Sequence, residues 1–269
     1  MIKTAIIAPI QLLSTYSSPE IPGEGYHLLL SNLFGSPMYV QYYTDRKTDG
    51  DYIILDNSAH ELGHGENLSE MLKKIDRVGP NEVVVPDRLF FGDDTVRNAE
   101  TFIPNFRRHF GTGIKLMGVP QGRTPGEWEA CARDLLALGV DTIGISKDYE
   151  VWGGGLVTRL HAIRVYAQTF GLKVPVHMLG WGRELQQISE FGDYQIGFGD
   201  EHTGAWIRGM DSAKPLVYAA AGIALSMSLS MPVPDYPSRM PNFFGLGNHE
   251  INPDLALQNI AVMRAWANG

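Results

Sequence analysis

Between Asp51 and Asn67 the chain reads DYIILDNSAHELGHGEN. The apolar run Tyr52 to Leu55 stops at Asp56-Asn57-Ser58, and His60 and Glu61 follow at once. A carboxylate, an amide, an imidazole and a second carboxylate at the end of one strand is a common way to build a site in an α/β protein. The pattern recurs. Asp87 follows EVVVP, Gln121 follows the run Lys115 to Val119, and Ser146 follows Thr142 to Ile145. Carboxylates accept hydrogen bonds from ring N–H and amino groups, and an amide reads a carbonyl edge, so this set suits a purine-like heterocycle. The histidines offer a competing chemistry, because His60-Glu61-Leu62-Gly63-His64 matches the H-E-x-x-H zinc pattern of a metal-dependent hydrolase. That chemistry needs both histidines one turn apart on an established helix. Here Asp56-Asn57-Ser58 comes directly before, and Gly63 and Gly65 weaken any helix. The expectation is therefore no metal.

The elements that must carry these residues alternate. Strands are expected at Ala5 to Pro9, Met38 to Tyr43, Tyr52 to Leu55, Glu82 to Pro86, Lys115 to Val119, Thr142 to Ile145 and Val174 to Leu179. Two further candidates are Tyr194 to Phe198 and Ala205 to Met210, of which one is needed. Helices are expected at Tyr26 to Leu33, Leu68 to Val78, Asp94 to Phe110, Leu156 to Phe170, Glu184 to Phe191 and Ser212 to Met227. Another opens at Thr124-Pro125-Gly126-Glu127, with a Thr cap, Pro at the first position and Glu three residues on. Asn252-Pro253-Asp254 caps the last. About eight strand–helix units in one chain of this length predict a single-domain TIM (β/α)8 barrel. A doubly wound sheet is the alternative, but no G-x-G-x-x-G follows the first strand. On a barrel, Asp56, Asp87, Gln121 and Ser146 share one rim.

Composition narrows the classes. With 44% hydrophobic residues, the 269-residue chain can bury a sizeable core. No apolar run approaches the ~18 residues of a membrane span, and the N-terminus has no signal-peptide pattern, so a cytoplasmic protein is expected. The net charge of -8 argues against a generally basic nucleic-acid binder and leaves room for a local basic groove. Cys131 is the only cysteine, which excludes an internal disulfide or a multi-cysteine zinc site, and its helical setting suggests a core residue.

Several blocks together carry a family resemblance. They are Leu55-Asp56-Asn57-Ser58-Ala59-His60-Glu61, Val85-Pro86-Asp87, Gly118-Val119-Pro120-Gln121-Gly122, Gly144-Ile145-Ser146, His177-Met178-Leu179-Gly180 and Met210-Asp211-Ser212. In this order they resemble the tRNA-guanine transglycosylase superfamily, most closely its short phage and bacterial members that insert 7-deazaguanines into DNA. The resemblance covers roughly residues 5–222. It implies a TIM barrel that exchanges guanine in DNA for a 7-deazaguanine, such as 7-cyano-7-deazaguanine, through an aspartyl covalent intermediate and without a cofactor. Matched block by block, Asp211 is the nucleophile, Asp56 the acid–base carboxylate, and Asp87 and Gln121 the base readers. His60 takes the place of a stacking aromatic. Asn57, Ser58, Gly122, Ser146, His177, Leu179 and Gly180 fall in the substrate-binding blocks. Arg208, Lys214 and Arg239 flank them and could hold phosphates.

The chain also departs from the pattern. The tRNA enzymes carry a cysteine-rich zinc site, which one cysteine cannot supply, so DNA is favoured over tRNA as the polymer. The segment Tyr194 to His202 is extra, so Asp200 competes with Asp211 for the nucleophile's role. A catalytically silent subunit that only binds nucleic acid is a third class, against which the retained carboxylates argue.

Overall fold

The computed structural model describes residues 2–20, 23–147, 155–181, 205–227, 240 and 242–268. The chain begins with β1 (Lys3–Ile6), the single turn α1 (Leu13–Tyr16), β2 (Tyr26–Leu30) and α2 (Pro37–Thr48). It continues through β3 (Tyr52–Asp56), α3 (Ala59–Leu62), α4 (Leu68–Val78), β4 (Glu82–Val84) and α5 (Gly92–Phe110). Then come β5 (Lys115–Gly118), α6 (Pro125–Ala137), β6 (Thr142–Ser146), α7 (Gly155–Thr169) and β7 (Val174–Leu179). The last are β8 (Ala205–Ser212), α8 (Lys214–Ala220) and α9 (Pro253–Asn268). The strands form one eight-stranded sheet in the order β1-β8-β7-β6-β5-β4-β3-β2. Every ladder is parallel. The end strands β1 and β2 lie against each other, which makes a nearly closed TIM barrel in a single domain.

Two of the expected elements exchange identity. Tyr26 to Leu33, expected as a helix, is β2 followed by a turn, and all five residues of β2 are buried. A barrel strand is covered on both faces, so it shows no polar alternation and resembles a buried helix in sequence. Met38 to Tyr43, expected as a strand, lies inside α2. Its start is marked by Ser36, whose side chain accepts from the Tyr39 N–H, and by Pro37 in the first turn. Tyr39, Val40 and Tyr43 are the buried face. Of the other candidates, Ala205 to Met210 supplies β8, while Tyr194 to Phe198 and Glu184 to Phe191 lie outside the described residues.

Alternation along the strands creates two cores. Leu28, Leu30, Ile54, Val84, Met117 and Val119 fill the barrel interior. Ile53, Leu55, Val83 and Val176 face outward onto helix residues such as Met71, Phe102, Phe106 and Trp128. The helix caps repeat the sequence signals. Thr124 accepts from the Glu127 N–H, and the Glu127 carboxylate accepts from the Arg123 N–H.

One irregularity matters for the site. Along β7 and β8, Val176 pairs with Ile207 but His177 pairs with Gly209, so Arg208 is an extra residue on β8. Such a bulge reverses the in–out parity of the later residues of the strand. As a result Arg208 and Asp211, an odd number of positions apart, both point into the barrel.

Candidate functional site

A cavity of about 470 Å³ opens at the C-terminal end of the barrel. All eight strands or the residues just after them reach it, from Ile7 beyond β1 and Leu30 of β2 round to Gly180 beyond β7 and Asp211 of β8. Of the residues singled out from sequence, Asp56, Asn57, His60, Asp87, Gln121, Ser146, Leu179, Gly180, Asp211 and Lys214 line it.

One wall is a fixed amide–carboxylate group. Asn57 Nδ2 donates to Asp87 Oδ1 at 2.7 Å and to the Val85 carbonyl at 2.7 Å. Gln121 Nε2 donates to Asp87 Oδ2, and Gln121 Oε1 accepts from the Phe90 N–H at 3.1 Å. With both ends engaged, the Gln121 amide is oriented rather than swinging. Asp87 is buried, and burial pushes its carboxyl up to about 6 against the opposing hydrogen bonds from Asn57 and Gln121. At pH 7 it is mostly a carboxylate, an acceptor for the donor edge of a bound heterocycle.

Asp56 ends β3 beside it, and its Oδ2 accepts from the Ser58 N–H at 2.8 Å. Burial raises the Asp56 carboxyl well above the usual range, and the negative charges of Glu61, Asp87 and Asp211 add to this. A carboxyl raised in this way holds its proton to higher pH than an ordinary aspartate and can serve as a general acid. Ser58 holds this corner in a left-handed conformation, with φ 57°, sparsely populated for a non-glycine residue. Its hydroxyl is tied to Ser31 and Asn32 at 3.0 Å.

Opposite, Asp211 is buried on β8. Its Oδ1 lies 3.0 Å from His177 Nε2, and its Oδ2 accepts from the Gly180 N–H at 3.3 Å. Asp211 does not cap α8, whose N-cap is Ala213; the Lys214 N–H that opens the helix donates to Ser212 Oγ at 3.2 Å. Asp200 and Arg239 lie outside the described residues.

Four placements correct the sequence reading. Arg208 is not at the rim. It sits at the opposite end of the barrel, 2.5 Å from the buried Glu82, with Tyr52 OH accepting from it at 3.2 Å. Flanking Asp211 in sequence did not bring it to the same end, because three residues of β8, ~10 Å of rise, separate the two, and the bulge turns Arg208 inward onto the strand starts. Arg208→Ala is therefore expected to act on stability, about 3–5 kcal/mol, by leaving the buried Glu82 charge without its counter-charge and with only the Tyr52 hydroxyl donating to it. Thermal melting checks this, and an unchanged melting temperature would contradict it. Gly122, Ser58 and His177 do not line the cavity among the described residues. Gly122 packs so tightly on α6 that a Cβ would lie 2.5 Å from the Trp128 nitrogen. Ser58 and His177 are fully buried and act behind the wall.

The H-E-x-x-H stretch is not a helical pair of ligands. The single turn α3 ends at Gly63, with φ 83°, leaving His64 beyond it, exposed and bridged to Arg88. His60 and Glu61 instead line the cavity. Among the described residues no cluster of three or more His, Cys, Asp or Glu is placed to hold a metal. Cys131 is a core residue whose thiol burial pushes up to about 12.

Glu61, the second carboxylate read at the end of β3, lines the cavity too; sequence reasoning missed Lys147 beside Gly180 and the apolar wall of Tyr218, Phe243 and Phe244. Lys147 was legible as the residue after Ser146; the aromatics come from a distant segment that has no motif.

No family model matches the chain, and no curated protein matches it. Solved structures do match. A protein of Coccidioides immitis assigned as a fructose-1,6-biphosphate aldolase superposes with a TM-score of 0.50 at 11% identity, over 99% of this chain and 88% of its own. A GH128 curdlan-specific exo-β-1,3-glucanase of Blastomyces gilchristii gives 0.46 at 11% identity, over 80% and 91%. At these identities the likeness is one of fold: the chain is a TIM barrel. Among the described residues, no helix is long and apolar enough to cross a membrane.

Proposed function

We propose that the protein is a base-exchange transglycosylase that replaces guanine in DNA with a 7-deazaguanine through an ester on Asp211. The observation that carries this reading is one cavity holding Asp211 on one side and Asp56 with the Asn57–Asp87–Gln121 group on the other. In the first half-reaction an Asp211 carboxylate oxygen bonds to C1′ as the bond from C1′ to the guanine nitrogen breaks. The electron pair stays with the base, and Asp56 supplies the proton. In the second, the incoming base loses its ring proton to Asp56, its nitrogen bonds to C1′, and the Asp211 carboxylate is released. Oxocarbenium character at C1′ is stabilised by the adjacent carboxylate. Asp87 and Gln121 read the base, His60 and the aromatic wall cover its faces, and Lys214 meets a phosphate. A nucleotide in a duplex must first be turned out of the stack to enter. The single cysteine favours DNA over tRNA as the polymer, since the tRNA enzymes this chain resembles need several.

Incubation with DNA and with tRNA, each with radiolabelled guanine or 7-cyano-7-deazaguanine, tests the reading. Label retained in DNA is expected. Label in tRNA alone would move the substrate, and label in neither would reject the reaction.

Asp87 gives a second, separable test. Asp87→Asn leaves one amide donor facing another, so affinity for free base is expected to fall by ~1–3 kcal/mol. The folded-state pKa of Asp87, about 6, exceeds its ordinary 3.8. Its contribution to stability is therefore present below about pH 4 and is lost as pH rises through about 6. The variant is expected to flatten the stability profile across that window. Calorimetric base binding and denaturant melts at several pH values measure both, and unchanged base affinity would reject the reading role.

A further inference from the structure

Beneath the cavity lies a chain of buried groups that the proposed chemistry does not yet use. His177 faces the barrel interior from β7 and is fully buried. Its Nδ1 is 2.8 Å from the Tyr26 hydroxyl, and its Nε2 is 3.0 Å from Asp211 Oδ1. The Tyr26 ring is clamped. It stacks on Tyr52 with centroids 5.5 Å apart, and the Arg208 guanidinium lies 5.8 Å from its centroid. On β8 a Cβ at Gly209 would come 2.6 Å from the Tyr26 ring, so the close approach needs glycine there. Tyr26 is fixed from three sides with its hydroxyl directed at one imidazole nitrogen.

That arrangement decides a tautomer. Burial raises the Tyr26 phenol beyond the range in which it would ionise, so it keeps its hydrogen. An ionised Asp211 can only accept, so Nε2 carries the hydrogen; in a neutral imidazole Nδ1 is then the acceptor, and the Tyr26 phenol donates to it. The Nε2–H points at Asp211. Gly180 N–H holds the second carboxylate oxygen. Each oxygen retains a further acceptor site, and Asp211 lines the cavity, so the carboxylate is held without being used up. The other titratable groups around the cavity are Asp56, His60, Glu61, Asp87, Lys147, Lys214 and the Tyr218 phenol.

We propose that His177 is the positioning residue for Asp211, with Tyr26 fixing its tautomer from inside the barrel. The inference rests on Asp211 acting as proposed above, but the tautomer itself is measurable without turnover. Nitrogen-15 spectra of the wild-type imidazoles should give His177 a protonated Nε2 and an unprotonated Nδ1, and Tyr26→Phe should convert this to a mixture. A protonated Nδ1 or a mixture in the wild type would overturn the inference, whether or not base exchange is observed. Kinetics supply the second arm. A displacement of ~1 Å at a reacting group costs about 100-fold, so His177→Leu is expected to lower kcat by about that factor with KM for the free base unchanged. His177→Gln restores an N–H near the Nε2 position and should recover most of the loss. A Gln variant no better than the Leu variant, or a rise in KM at unchanged kcat, would overturn positioning. If neither variant folds, the wild-type tautomer decides alone. If exchange is absent in the wild type, the transglycosylase reading fails while the tautomer result stands.

Discussion

Asp211→Asn is expected to keep the wild-type fold and to lose base exchange by at least ~10³-fold. Removing a covalent nucleophile costs losses of this order or more, because what remains is binding and electrostatics. The structural alternative predicts something different. Had Asp211 been a helix cap, its loss would cost ~1 kcal/mol of stability and leave turnover intact. Ser212 already serves the first turn of α8, so little melting temperature should be lost. Asn retains an oxygen for the His177 Nε2–H, which keeps the buried imidazole paired. Single-turnover exchange and thermal melting on the same sample separate the outcomes. A variant that melts normally and exchanges normally removes Asp211 from the chemistry.

The second large effect belongs to Asp56. Asp56→Asn is expected to slow exchange by ~10²–10⁴-fold, the usual contribution of a placed general acid. The pH profile carries more information than the magnitude. Burial first, and then Glu61, Asp87 and Asp211, raise the Asp56 carboxyl well above the ordinary range. Proton donation needs the acid form, so kcat should fall as pH rises through this raised value. Glu61→Gln removes a neighbouring negative charge, which stabilises the Asp56 carboxylate and lowers its pKa. The falling limb should therefore move to lower pH in that variant. A limb that stays put, or moves to higher pH, would show that another group sets the profile.

Much of this site could be read before the fold was known, for a geometric reason. Asp56, Asp87, Gln121 and Ser146 each follow a short apolar run, and in a parallel barrel the ends of such runs converge. The count of eight strands was also legible, but through two compensating exchanges. YHLLL lies between the inner and outer cores and shows no alternation, while the Ser36-Pro37 start of α2 was hidden behind the β-prone MYVQYY. Parity was the harder problem. The bulge at Arg208 turns that residue into the barrel like Asp211, while the three residues of strand that separate them, ~10 Å of rise, leave it near the strand starts. Tyr26 was invisible for a related reason. Its partner His177 is 151 positions away, and no local pattern marks a tyrosine that supports a histidine from the barrel interior. Phe243 and Phe244 reach the cavity only through tertiary packing.

The central claim is that the reaction passes through an ester on Asp211. Its most direct test is to quench the protein with guanine-containing DNA during turnover, isolate the covalent adduct under denaturing conditions, digest both polymers and map the modified peptide by mass spectrometry. The account predicts a deoxyribose-bearing fragment on the peptide containing Asp211, absent from Asp211→Asn and still formed by Asp87→Asn at raised DNA concentration. An adduct on Asp200 or Asp56, or turnover with no adduct at all, would contradict it.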